Sequence, residues 1–220
     1  MIKPYVLVYV TISIDGGLGI TGRRIILSSE RDLYRLHYLR SQVDAIMIGA
    51  NTVITDNPLL TVRLPQYTGK QPYRVVVDQK LKTDPDYRVY DTSIAPSMII
   101  TSFEHKHSYR LRKFIEKGVE VILTRTLDNG LLDLEKPLLE MKNCYGIDKV
   151  LVQGGGFLIA SLIKQKLVDE LIVSLSPVML GLSKVNLIND FIDEPVNLKL
   201  KEVEIDYYSG EVVIHYELIR

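Results

Sequence analysis

Short apolar runs and segments of helical period take turns along this chain almost to its end. That alternation restricts it to a mainly parallel sheet covered by helices. The strand candidates are YVLVYVTISI, DAIMIG, YRVVVD, SMIITS, VEVILT, the VLV run after Lys149, and DELIVSLSPVML. Helical period marks SSERDLYRLHYLRSQ, a short stretch from Ala50, HSYRLRKFIEKG, LLDLEKPLLEMKN, and the segment carrying Leu158, Ile159, Leu162 and Ile163. Ser29 is placed to cap the first helix, with Asp32 three positions on as a weak capping-box partner. The tail LKLKEVEIDYYSGEVVIHYEL differs, alternating apolar and polar residues on both sides of Ser-Gly, as an antiparallel hairpin does. The expected fold is α/β: a mainly parallel central sheet with helices on both faces and a C-terminal antiparallel hairpin. With no internal repeat and no Pro-, Gly- or Ser-rich linker, residues 1–220 read as a single domain.

Composition narrows the function. Lys plus Arg and Asp plus Glu both number 27, so the chain lacks the basic excess of a nucleic-acid binder. A single cysteine, Cys144, excludes an intramolecular disulfide framework and any multi-cysteine zinc site. The His105-x-His107 pair has no third ligand nearby and reads as a solvated loop. The N-terminal apolar run alternates and ends in a turn, so it reads as a strand and not as a signal peptide. No apolar run is long enough to span a bilayer, and a cytoplasmic protein without a membrane partner is expected.

Three consecutive glycines, Gly154, Gly155 and Gly156, stand where a strand hands over to a helix. Glycine weakens the interior of either element, so packing alone does not call for them. A helix start offers unpaired N–H groups and the positive end of the macrodipole, and residues without Cβ let a phosphate approach the backbone. A tight turn without any ligand is the plainer alternative. The Rossmann fingerprint fits poorly, because Ile159 occupies the third glycine position and the motif lies late in the chain. The P-loop spacing is absent.

A second constellation is LRSQVDAIMIGANTVITDNPLLTVR, residues 39–63. Thr52 and Asp56 are four apart and share a face if their segment is helical, which suits the ribose or amide groups of a nucleotide. Arg40 and Arg63 flank the block and suit bidentate recognition of a phosphate monoester.

Together with TISIDGGLGI, YRVVVDQKLK and KVLVQGGGFLIASLIKQKLVDELIVSLSPVMLG, this block resembles the riboflavin-pathway reductases with a dihydrofolate reductase-like fold. The likeness is ordered and covers most of the chain. It implies a nicotinamide cofactor, NADPH with NADH possible, contacted by Thr52 and Asp56, with its pyrophosphate at Gly154, Gly155, Gly156 and Phe157. Lys80 and Lys82 would face the 2′-phosphate, and Thr11 and Ile12 would pass the nicotinamide. Arg40, Leu60 and Arg63 match positions that hold the phosphorylated ribosylaminopyrimidine substrate. Gln153 stands where these enzymes often carry glutamate, so a substrate contact is retained while an essential acid–base role is not implied. The chain lacks the H-x-E and P-C-x-x-C residues of a nucleobase deaminase. The resemblance therefore implies a stand-alone reductase and a homodimer. The expected reaction is ribosyl-to-ribityl reduction of 2,5-diamino-6-(ribosylamino)-4(3H)-pyrimidinone 5′-phosphate, hydride going to C1′ of the ring-opened imine. The alternatives are a dihydrofolate reductase-type enzyme, a reductase of this superfamily acting on another carbonyl, and a non-catalytic NADPH-binding module.

Overall fold

Strand β1, Tyr5–Ser13, splits its side chains between two cores, and that split sets the layers of the molecule. The computed structural model describes residues 2–23, 25–188, 190, 192 and 194–219. In β1 the residues Val6, Val8, Val10 and Ile12 point to one face, while Leu7 and Tyr9 point to the other. The remaining strands are β2 (Gly17–Ile20), β3 (Ala45–Gly49), β4 (Tyr73–Val77), β5 (Ser97–Ser102), β6 (Glu120–Thr124), β7 (Lys149–Val152), β8 (Glu170–Ser176), β9 (Lys184–Asn186), β10 (Leu198–Asp206) and β11 (Glu211–Leu218). The helices are α1 (Glu30–Ser41), α2 (Ala50–Asp56), α3 (Tyr109–Glu116), α4 (Glu135–Tyr145) and α5 (Gly156–Lys164).

Nine strands form one sheet in the order β10-β11-β8-β1-β7-β3-β4-β5-β6. From β8 to β6 the neighbours are parallel; β11 is antiparallel to both β8 and β10. The expected α/β fold with its C-terminal antiparallel hairpin is present. Helices α4 and α5 cover one face through Leu138, Met141, Ile159 and Leu162. Helices α2 and α3 cover the other through Val53, Leu111 and Phe114, and α1 joins that side through Leu36 and Leu39.

Three readings of the sequence change. The stretch Leu131–Leu134 precedes α4 and is not helical. The strand expected over DELIVSLSPVML ends earlier, β8 stopping at Ser176 between β1 and β11; the edge strand is β10, where Leu198, Leu200, Val203 and Ile205 are exposed. The short ribbon of β2 and β9 escaped notice because four and three residues are too few to show a period. No helix among the described residues is long and apolar enough to cross a membrane.

The start of α1 is built differently from a capping box. Ser29 does cap it, its Oγ accepting from the Asp32 amide at 3.1 Å. The Ser29 amide, however, donates to Glu211 Oε1 of β11 at 2.7 Å, a long-range partner that no local motif encodes. Asp32 instead turns inward and is fully buried, accepting from the Tyr9 hydroxyl, from Thr11 Oγ1 at 2.7 Å and from Arg35 Nη1 at 3.2 Å. Burial on its own would raise the Asp32 pKa, but the bonds from Tyr9 and Thr11 outweigh it and hold it below the ordinary carboxylate value.

This network ties α1 to β1, and removing its acceptor would strand the hydroxyl donors of buried Tyr9 and of Thr11, while Arg35 would keep Glu204. We expect Asp32→Ala to cost about 3–5 kcal/mol in urea unfolding. Because the folded pKa is depressed, the carboxylate contributes stability above its unfolded pKa and loses it as pH falls through the folded one. The gap between wild type and Asp32→Asn should therefore be full at pH 7 and close on acidification below the usual carboxylate range.

Candidate active site

Adjacent parallel strands β3 and β7 send their following helices to opposite faces: α2 packs with Val53 on one, α5 with Ile159 and Leu162 on the other. A crevice must open beyond the carboxyl ends of two such strands. A cavity of about 950 Å³ lies there, reached by Val10 and Thr11 of β1, Gly49 after β3, Val77 and Asp78 after β4, and Gln153 to Gly156 after β7. Residues of the β2–β9 ribbon, Leu18 to Ile20 and Val185, also line it.

The glycine loop forms one end. Gly154 and Gly155 have φ of +90° and +92°, a region that L side chains rarely adopt. A Cβ on Gly154 would meet nothing, whereas one on Gly155 would lie 3.4 Å from Thr52 Oγ1 and 3.5 Å from the Gly49 amide. The two glycines therefore serve backbone conformation first, and Gly155 also lets the α2 and α5 starts approach each other. Neither helix start has a side-chain cap, so their first N–H groups remain available beside the cavity. A diphosphate fits this cradle on the strength of those positive-φ glycines and uncapped amides. Thr52 and Asp56 of α2 line the same cavity, as their spacing implies, and so does the half-exposed Phe157.

Lys80 and Lys82 also line the cavity and are exposed. Their turn is shaped by buried Asp78, which accepts from the Thr83 amide at 2.7 Å and the Thr83 hydroxyl at 2.8 Å. Leu81 between them is buried with φ of 50° and anchors the turn in the core, so both lysines point outward.

The other end is cationic. Arg40, on the last turn of α1, is 8 % exposed, and among the described residues no carboxylate pairs with it. Nε donates to Gln153 Oε1 at 2.9 Å and Nη1 to the Thr61 carbonyl at 2.9 Å, which fixes the guanidinium plane. Burial, then the nearby Arg63 charge, pushes the Arg40 pKa down to about 10. It stays protonated at neutral pH, a buried cation without a counter-ion that is stabilised by an arriving anion. Because Nε–H is a donor only, the Gln153 atom facing it must be oxygen. Gln153 Nε2 is left buried, with no partner among the described residues.

Leu60, buried and lining the cavity, is held at φ of 51°. Arg63 stands apart from the cavity lining. It is exposed, with its Nη2 3.3 Å from Nε2 of His37. Ile12 also lies elsewhere, in the core beneath α5. Thr11 does reach the cavity, with its hydroxyl engaged by Asp32 and Ser28. The other expected site residues are brought together. The ribbon was missed because it is too short to show a period, and nothing in the helical period of α1 singles out His37.

The glycine pair separates strain from contact. Gly154→Ala should cost about 1–2 kcal/mol from backbone conformation alone. Gly155→Ala should cost more, because the new methyl also presses on Thr52 and Gly49. Urea midpoints of the two variants test this, and equal losses would mean that the Gly155 contact is immaterial.

Comparison with known proteins places this architecture. The family model described as the RibD C-terminal domain matches residues 4–214. The chain is 35% identical over 217 residues to the 2,5-diamino-6-ribosylamino-4(3H)-pyrimidinone 5′-phosphate reductase of Methanothermobacter thermautotrophicus, covering 96% of each. It is 34% identical over 186 residues to the protein of the same name from Aquifex aeolicus, covering 82% of this chain and 80% of that one. Among solved structures it is similar to Acinetobacter baumannii RibD, with a TM-score of 0.82 and 22% identity, over 99% of this chain and 59% of that one. The fold is shared, and this chain spans little more than half of that larger protein. The chain belongs to the RibD C-terminal domain family, a family of oxidoreductases in riboflavin biosynthesis.

Proposed function

We propose that this chain is the NADPH-dependent reductase of 2,5-diamino-6-(ribosylamino)-4(3H)-pyrimidinone 5′-phosphate, converting its ribosyl group to ribityl. The observation that carries the reading is the pairing, in one cavity, of an anion cradle at Gly154–Gly156 with a separate buried cation at Arg40. One anion site suits a cofactor pyrophosphate and the other a phosphorylated substrate. The names of the relatives support the substrate.

In this reading the α5 amides and Gly154–Gly156 receive the pyrophosphate, Thr52 and Asp56 the neighbouring ribose and amide groups, and Lys80 and Lys82 the 2′-phosphate. A bound nicotinamide would supply a hydride to C1′ of the ring-opened imine, whose nitrogen would take a proton to complete the amine. Thr11 and the ribbon bound the space between the two anion sites and exclude water from it. Arg40 holds the 5′-phosphate from within the cavity, and Arg63, outside the lining, reaches it from the exposed side, so that C1′ is carried at a fixed distance from the cofactor end. Gln153 Nε2, an unsatisfied donor, takes an oxygen acceptor of the substrate; a carboxylate in its place would accept instead and would neutralise Arg40. The exposed apolar β10 edge supports the homodimer reading.

NADPH oxidation with the ribosylaminopyrimidine phosphate tests the assignment, and its absence at full NADPH occupancy would overturn it. Arg40→Ala should lower kcat/KM by about 1.5–3 kcal/mol or more. Arg40→Lys should recover little, since one ammonium cannot serve Gln153, Thr61 and the phosphate in that plane. On substrate lacking the 5′-phosphate, wild type and both variants should perform almost equally poorly; a further loss in the alanine variant would assign Arg40 to something else.

Cofactor choice is tested at the turn. Lys80→Glu combined with Lys82→Glu should weaken NADPH binding by at least about tenfold, roughly 1.4 kcal/mol, and NADH binding far less. Equal losses for the two cofactors would mean that the lysines are only solvated.

A further inference from the structure

His37 lies one face-width from Arg40 on α1, is 8 % exposed, and contacts Arg63 twice. The Arg63 amide donates to Nδ1 at 3.1 Å, and Arg63 Nη2 stands 3.3 Å from Nε2. That amide cannot turn away. Its neighbour Val62 is clamped on both sides by Gln71, whose Oε1 accepts from the Val62 amide at 2.7 Å and whose Nε2 donates to the Val62 carbonyl at 3.2 Å. Nδ1 is therefore the bare nitrogen, and a neutral His37 carries its proton on Nε2. Burial, then the charges of Arg40 and Arg63, with a small opposing effect of the Thr61 carbonyl, push its pKa down to about 4. The ring is thus neutral at physiological pH.

The second contact then sets an Nε2–H against a guanidinium N–H. Two donors 3.3 Å apart gain nothing from each other. A single oxygen accepting from both turns the same geometry into a fork. Resting on the reading that Arg40 and Arg63 hold the substrate's 5′-phosphate, we propose that His37 is a third donor to that phosphate, fixed as the Nε2–H tautomer by the Arg63 amide and sharing one phosphate oxygen with the Arg63 guanidinium. As a neutral donor it adds a directed bond without a third buried cation beside two arginines. Neither His37 nor Arg63 lines the cavity, so the oxygen they share is the one that points from Arg40 toward the outer side of α1.

The experiment uses the full chain, NADPH and ribose 5-phosphate as the probe. Imidazole nitrogen spectra of the wild type should show His37 with Nδ1 bare and Nε2 protonated, and the Nε2 signal should move on saturation with ribose 5-phosphate. An Nδ1–H tautomer, or an Nε2 signal unmoved at saturation, overturns the proposal. His37→Leu should bind ribose 5-phosphate about tenfold more weakly, the loss expected for one hydrogen bond to a charged acceptor. His37→Gln, whose terminal amide occupies the Nε2 position, should recover most of that loss, while NADPH affinity stays the same in both. Equal losses in the two variants would make His37 a packing residue and sink the idea. If Arg63→Ala weakens ribose 5-phosphate binding and His37→Leu does not, this inference falls and the phosphate site stands. If Arg40→Ala and Arg63→Ala both bind as wild type does, the phosphate site is wrong and His37 falls with it. Should His37→Leu fail to fold, the tautomer and the glutamine variant decide.

Discussion

Everything in this molecule hangs on β7 lying between β1 and β3. A four-residue strand, paired in parallel on both sides, forces the chain that leaves it to choose a face. It takes the face opposite to the one α2 has taken from β3, and the crevice between them is the space left over. The glycine loop, Gln153 and the start of α5 are the first residues past that strand, so sheet pairing alone delivers them to the site. Side-chain chemistry then refines a position that backbone hydrogen bonding has already set.

The electrostatics follow from what is withheld. The acidic residues equal the basic ones in number, yet among the described residues none pairs with Arg40. Its guanidinium is oriented by an amide oxygen and a carbonyl, neutral groups that fix direction without cancelling charge. Arg74 makes the contrast. It is buried too, but carbonyls of Arg88, Asp91 and Ala95 surround its Nη atoms, and it braces the backbone outside the lining of the cavity of about 950 Å³. Two buried arginines thus have different uses, told apart by what lies on the open side of each.

Much of this was legible in the sequence. Period and turn residues marked the strands, the helices and the terminal hairpin, because each is a local pattern that one face of a core enforces. Thr52 and Asp56 were readable as a pair because four residues is one helical turn. The glycines were readable as a loop where a strand hands over to a helix but not fully as a cause: their positive φ angles depend on how the loop leaves β7. Asp32 was misjudged because a capping box is local, whereas Glu211 reaches Ser29 from the other end of the chain. Arg63 shows the same limit, since adjacency in a block does not say whether a side chain faces inward.

The late position of β7 also governs when the site can exist. β1 emerges first, and its central partner is made only after some hundred and thirty further residues, by the arithmetic of Tyr5–Ser13 and Lys149–Val152. Until then β3 to β6 can pair among themselves while the apolar flanks of β1 and β3 stay open. Contacts of such sequence separation make closure slow and leave bare strand edges during synthesis. The nascent chain therefore passes through a long interval with a half-built sheet and no cofactor cradle, in which neither nucleotide nor substrate can stabilise it.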